Sequence, residues 1–269
     1  MLKKNILNNF VCISLMCVNI YNMQCLAVQY YLNEEVEVSH QLRELNLLST
    51  GVSLKLHLGC GEKHLTGYIN IDYPLSEHTI QTKSGADVFG DITKIVFLPG
   101  VVDEIRLHHV LEHFDRPAAL ALLCAWHIWL RQGGILHIEV PDFLTSVRMV
   151  LAGNHTYVQK QIILRHIFGS HEASWAIHCD GWYKEKFEHI LATLGFKEIE
   201  FQSSSWLLTH NITVRAKKTN DIGFAEMQLL GRKILSESLV DTSLSEQKML
   251  DDWYQKFDKS LRKLLYSVS

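Results

Sequence analysis

Leu54–Asp72 reads LKLHLGCGEKHLTGYINID. Apolar residues alternate into a Gly59-Cys60-Gly61 turn, and a second short apolar run, Tyr68–Ile71, closes on an aspartate. The order is strand, backbone-exposing turn, short connection, strand, acid. It suits a nucleoside-containing cofactor lying across the ends of two neighbouring parallel strands. Glycine at the turn keeps side chains out of the way of such a ligand. The dinucleotide fingerprint needs a third glycine opening a long helix, and Leu65 and Thr66 stand there instead. A mononucleoside cofactor therefore gains over a nicotinamide or flavin. Asp72, at the end of the second strand, can accept both ribose hydroxyls in charge-assisted bonds. The competing reading is a helix cap or an Asx-turn before Pro74.

Outward from this stretch, strand and helix signals alternate. Leu54–Leu58 and Tyr68–Ile71 are the first two strands, and a short third lies in Ala86–Ile92 and ends at Asp91. Val102–His108 is the fourth. Pro117 then sits in the first turn of an apolar helix over Ala118–Leu130, which Gly133-Gly134 is expected to stop. Ile135–Val140 is the next strand. Leu144–Leu151, Val158–Phe168 and Tyr183–Leu194 read as helices, and Lys197–Phe201 and Asn211–Val214 as the last two strands. The pattern predicts an α/β fold, a doubly wound, Rossmann-like and mostly parallel seven-stranded sheet with helices on both faces. Ser243 with Glu246 resembles a capping box, opening a helix whose Leu250, Trp253, Phe257, Leu261 and Leu264 share one face. The organisation expected is an extension over 1–27, a leading helical segment over 28–51, a catalytic domain over 52–218 and a C-terminal helical extension over 219–269.

Composition narrows the function classes. The chain has 269 residues, 47% of them hydrophobic and 20% charged, which supplies a core and argues against global disorder. A net charge of −3 makes no case for nucleic acid as a partner. Six cysteines without CxxC spacing suit reduced thiols and a cytoplasmic setting rather than a disulfide framework or zinc ribbon. Lys3 and Lys4 precede the apolar Phe10–Ile20, and Cys25-Leu26-Ala27 has the form of a cleavage site. Asparagines interrupt that region and the run is short for a bilayer, so no stable membrane insertion is expected. A poorly ordered extension or a mis-assigned start is the favoured reading over a signal peptide.

After the fourth strand comes His108-His109-Val110-Leu111-Glu112-His113. His109, Glu112 and His113 match the HxxEH pattern of inverted zinc peptidases. That chemistry needs a continuous helix, so that residues four apart share a face. Here the motif follows a strand directly and precedes Asp115-Arg116-Pro117. The competing reading is a partly buried histidine pair.

Taken together, LHLGCG, NIDYP, GDI, VDEIRLHHVLEH and GGILHIEVPD resemble the class I S-adenosylmethionine-dependent methyltransferases over about residues 52–216. Within them the chain is most similar to the small, methyltransferase type 11-like branch reading LHLGCG…GYINID…HVLEHF. The resemblance implies S-adenosyl-L-methionine as cofactor. Gly59 and Gly61, with Cys60 between them, would meet the methionine moiety, Asp72 the ribose, Asp91 and Ile92 the adenine, and His109 the pocket wall. An acceptor hydroxyl or amine needs a base, and His113, Glu112 and Asp142 are the candidates beside the acceptor end of the sheet. His171, Trp175 and His178 form either a lid or acceptor wall or an ordinary surface loop. Some relatives bind a divalent metal through Glu-x-x-Glu-His after strand four. His109 replaces the first glutamate here, so no metal is expected. Relatives with this pattern are linked to cell-surface glycan synthesis, which makes a glycan or small-molecule hydroxyl the expected acceptor. The alternative is a methyltransferase fold kept as a non-catalytic interaction module.

Overall fold

The computed structural model describes residue 42, residues 53–78 and residues 80–265. The candidate signal region and most of the leading helical segment lie outside them; of the latter, Leu42 is helical and fully buried.

Seven strands form one sheet: β1 (Lys55–Leu58), β2 (Ile69–Asp72), β3 (Val88–Phe89), β4 (Val102–His108), β5 (Leu130–Pro141), β6 (Phe196–Trp206) and β7 (Thr209–Lys218). Their order is β3-β2-β1-β4-β5-β7-β6, parallel except that β7 runs against both neighbours. The fold is Rossmann-like. β4 connects to β5 through α1 (Arg116–Trp129), whose N-cap Asp115 accepts the Ala118 N–H and whose first turn holds Pro117. After β5 come α2 (Phe143–Leu151), α3 (Tyr157–Phe168) and α4 (Lys184–Thr193), and after β7 come α5 (Phe224–Ser236) and α6 (Leu244–Leu265).

The two faces of the sheet differ. In register, Leu56, Leu58, Ile69, Ile71, Ile105 and Leu107 stand on one face, which Leu136, Ile138 and Val214 continue. The buried residues of α1, α4, α5 and α6 join these in a single apolar core. The other face carries Lys55, His57, Asn70, Glu104, Arg106, His108, His137 and Glu139. There the side chains are knit by hydrogen bonds, His57 Nδ1–H to Asn70 Oδ1 at 2.9 Å and Tyr68 Oη–H to Glu104 at 2.7 Å. The strands thus alternate rather than run apolar throughout as a sheet buried on both faces usually does.

Some elements depart from expectation. β5 begins at Leu130, before Gly133-Gly134, so these glycines lie inside a strand and do not end the helix. The backbone of Leu130 is already extended (ψ 136°), and the β4–β5 register shifts near Val102. β3 has 2 residues, fitting its place at the sheet edge. β6 and β7 form a long hairpin around Leu207, far beyond the short strands read from Lys197–Phe201 and Asn211–Val214. Helix α5 had no sequence signal singled out for it; Gly231 gives it a close crossing with α6, against the ring of Phe257. In α6 the buried Leu250, Phe257, Leu261 and Leu264 pack inward, and the Leu264 carbonyl accepts Trp129 Nε1–H at 3.2 Å. Ser243 Oγ accepts the Glu246 N–H, but the Glu246 carboxylate caps Val240 instead, so only half of the capping box forms. Among the described residues no helix is long and apolar enough to cross a membrane.

Candidate active site

The carboxyl ends of β1, β2 and β4 meet around a cavity of about 410 Å³, within the range of small-molecule sites. Gly59, Cys60 and Gly61 form one wall and Asp72, Ile92, His109 and His113 line others. The turn is bound tightly to β2. Gly59 N–H and Cys60 N–H both donate to the Ile71 carbonyl, at 2.8 and 3.2 Å, and Gly61 N–H donates to Asp72 Oδ2 at 2.6 Å. Its N–H groups are therefore committed, and what it offers the cavity is bare surface. Gly59 has φ +64°, and a Cβ there would stand 2.3 Å from Val110 Cγ2. Gly61 has φ +57° and open space beside it, the nearest atom being Gln81 Oε1 at 3.9 Å. Cys60 is buried and its thiol is pushed up to about 12, chiefly by desolvation, so it stays protonated and plays no nucleophilic part.

Asp72 is 7% exposed, with Oδ1 accepting Tyr73 N–H at 2.7 Å and lying 3.8 Å from His78 Nε2, too far for a hydrogen bond. Burial raises its pKa against the opposing pull of those N–H bonds and His78. Each carboxylate oxygen still has lone pairs to offer a ligand hydroxyl. Two further polar atoms in the wall, His78 Nε2 and Gln81 Nε2, are buried and make no hydrogen bond. Buried polar groups are normally satisfied, so this wall fits a ligand carrying several polar groups. Lys63 adds a cation. These residues fit the nucleoside and amino-acid ends of S-adenosylmethionine.

Asp91 and Asp142 are engaged elsewhere. Asp91 Oδ1 accepts Thr93 N–H and Oγ1–H at 2.9 and 2.7 Å and its other oxygen pairs with Lys94, as a capping aspartate would. Its neighbour Ile92 does reach the cavity. Asp142 caps α2, accepting Thr145 N–H and Oγ1–H at 3.1 and 2.6 Å, and lies on neither described cavity wall.

The corner after β4 is built from ionisable side chains. His109 has φ +55°, and Leu111–His113 make a single 3-10 turn. The continuous helix that the HxxEH peptidase geometry requires is not formed there. Glu112 is buried, and its Oε1 accepts His109 Nδ1–H at 3.2 Å. Burial alone would raise the Glu112 pKa, but His109, His113 and His178 together hold it below the usual range. Burial alone would lower that of His109, but the Glu112 and Glu139 carboxylates outweigh it and raise it. Glu139 is held down to about 2, mainly by His108, whose Nδ1 lies 3.7 Å from its Oε1.

A second cavity, of about 600 Å³, adjoins the first and shares His109, His113 and Trp175 with it. Arg165, His166, His178, Trp206 and Asn211 line the rest of it. Trp175 is a wall between them. Its Nε1–H donates to the Glu77 carbonyl at 2.9 Å, and its ring meets His78 at 5.3 Å and His113 at 6.3 Å. The loop 169–183 thereby roofs the site, whereas His171 turns away to bond the Phe168 carbonyl. His57, Tyr73, His78 and Gln81 were not singled out in the sequence. Their segments, an interior strand position and a polar loop, carry no motif.

No protein-family model and no curated protein matches the chain. Solved structures that it resembles include the Burkholderia thailandensis 1,6-didemethyltoxoflavin-N1-methyltransferase with S-adenosylhomocysteine bound, at 12% identity over 81% of this chain and 94% of that one, TM-score 0.43. A Thermotoga maritima SAM-dependent methyltransferase matches at 13% over 75% and 96%, TM-score 0.42. A Methanosarcina mazei SAM-dependent methyltransferase matches at 10% over 66% and 98%, TM-score 0.41. Likenesses this distant say nothing of activity.

Proposed function

We propose that the chain is an S-adenosylmethionine-dependent methyltransferase acting on an acceptor oxygen, of the sugar or small-molecule hydroxyl class. The observation that supports it most is the meeting of Gly59–Gly61 and Asp72 on one cavity with unpaired His78 Nε2 and Gln81 Nε2. Asp72, His78 and Gln81 would take the ribose and neighbouring polar groups, Ile92 the adenine face and Lys63 the methionine carboxylate. The cofactor supplies an activated methyl group on a sulfonium. What remains for the protein is in-line placement, worth up to about 7–11 kcal/mol in favourable cases, and a place for the acceptor proton.

The adjoining cavity serves the acceptor in this reading, its Trp175 and Trp206 offering flat apolar surface and Asn211 and His166 polar contacts. His109 borders both cavities and is oriented by Glu112, the arrangement of a general base with its positioning carboxylate. His113, on the same border, positions the acceptor oxygen.

S-adenosylhomocysteine provides the test. At about 100 times its Kd a ligand adds about 2.7 kcal/mol, a melting rise of roughly 5–10 °C for a domain of this size. The rise is expected in the parent and lost in Asp72→Ala. A parent that melts unchanged at saturating S-adenosylhomocysteine would be a non-catalytic module, and the methyltransferase reading would fall.

A further inference from the structure

Glu112, His113 and His178 each offer one ligand atom, all within 4.8 Å of one another; His113 lines both cavities, His178 the second, and Glu112 is buried behind them. Glu112 and His113 come from the 3-10 turn after β4, and His178 from the loop after α3, 65 residues away in sequence. Both imidazoles are set in the same tautomer. His113 Nδ1–H donates to the Ile177 carbonyl at 3.3 Å and His178 Nδ1–H to the Ile167 carbonyl at 3.1 Å. A carbonyl can only accept, so in the neutral ring each Nε2 keeps its lone pair, as in histidines that bind metal through one nitrogen and are oriented through the other. The carboxylate is prepared in the same way. Oε1 of Glu112 is held by His109, while Oε2 is buried without a hydrogen-bond partner. A buried, unpaired carboxylate oxygen is costly, and a cation between it and two Nε2 lone pairs would satisfy all three.

We infer that Glu112, His113 and His178 bind one divalent transition-metal ion of the Zn²⁺ class, leaving a fourth position for an acceptor or water oxygen. Two imidazoles and a carboxylate with an open position form a catalytic zinc donor set, whereas Mg²⁺ and Ca²⁺ favour oxygen ligands. Bonds of about 2.1 Å in a tetrahedron place ligand atoms about 3.4 Å apart, so the cluster, spread over as much as 4.8 Å, needs to close by up to about 1.4 Å. This set differs from the HxxEH pattern, because His109 orients Glu112 and its ligand place is taken by His178.

The role of the ion rests on the methyltransferase reading, but its binding does not. An acceptor hydroxyl on the ion releases its proton more readily. His109 takes that proton, the oxygen bonds to the methyl carbon, and the carbon–sulfur bond breaks with its electron pair going to sulfur. The products are the methyl ether and S-adenosylhomocysteine.

The full chain, stripped with a chelator and dialysed against Zn²⁺, is expected to hold one ion per chain by elemental analysis. Co²⁺ in its place should show the visible bands of a tetrahedral site. His178→Ala and Glu112→Gln should each weaken Zn²⁺ binding at least about 10-fold. His178 does not line the cofactor cavity, so His178→Ala should still be stabilised by S-adenosylhomocysteine, which shows that the variant folds. Cys179→Ser, which removes the neighbouring thiol that donates to the His113 carbonyl at 3.3 Å, should leave Zn²⁺ binding unchanged. The assignment is overturned by a parent without stoichiometric zinc, by zinc retained in His178→Ala, by loss in Cys179→Ser, or by Mg²⁺ binding as tightly as Zn²⁺. Zinc bound as described in a parent that ignores S-adenosylhomocysteine would keep the ion site and remove only the methyl-transfer chemistry.

Discussion

The corner after β1 and the corner after β4 adjoin one another on one cavity and are built by different means. The first is made of backbone: two left-handed glycines whose chain donates to Ile71 and Asp72, 11 or 12 residues further along. The second is made of side chains, His109, Glu112, His113, His166 and His178, drawn from three separate segments. A backbone corner resists change in shape. A side-chain corner responds to charge and to what binds it.

The largest expected effect breaks the first corner. Gly59→Ala meets both the left-handed φ and Val110, and should cost about 3 kcal/mol. Gly61→Ala meets only the φ cost, about 1–2 kcal/mol, and places a methyl group towards the cavity. Denaturant unfolding of the two variants measures the gap, and equal losses would mean that the Val110 contact relaxes freely. Next, Asp72→Ala removes a charged acceptor and should weaken S-adenosylhomocysteine about 30-fold, or about 2 kcal/mol, by calorimetry.

Acid should separate the corners by sign. Glu139, beside His108 below the second corner, has its pKa lowered from 4.5 to about 2. Its contribution to stability is complete above about pH 4.5 and lost as pH falls towards 2, and Glu139→Gln should flatten the melting curve over that window by on the order of 1–2 kcal/mol. Asp72 runs the other way. Its folded pKa is raised by burial, so the folded state binds its proton first and gains stability as pH falls through that value. In Asp72→Asn the acid loss should be steeper than in the parent. The smallest effect is expected at the shared wall: Trp175→Ala loses ring contacts worth about 1 kcal/mol, read as a several-fold weaker S-adenosylhomocysteine affinity.

Legibility followed the same division. Strands β1, β2 and β4, α1 and the apolar stripe of α6 were visible because each rests on a local period of 2 or 3.6 residues. The glycine turn and Asp72 were visible because glycines after a strand and an acid at the end of the next strand are local signals, and both line the cavity. Asp91 and Asp142 carried equally good local signals, yet their carboxylates cap their own turns. Spacing does not distinguish a capping aspartate from a ligand-binding one. The length of the β6–β7 hairpin and the helix α5 were hidden because pairing with β5 and the fit of Gly231 against Phe257 are long-range.

Residues near one another in the chain thus determined the alternating α/β pattern, the strand–turn–strand unit and the acid at its end, since dihedral preference and hydrophobic period are local properties. Tertiary structure decided what faces the cavity. It brought Trp175 from loop 169–183 over His78, set His178 beside Glu112 and His113, and left His78 Nε2 and Gln81 Nε2 unpaired. The reason is physical: a side chain's partner, burial and charge environment are fixed by packing between distant segments, and no period in the sequence encodes them.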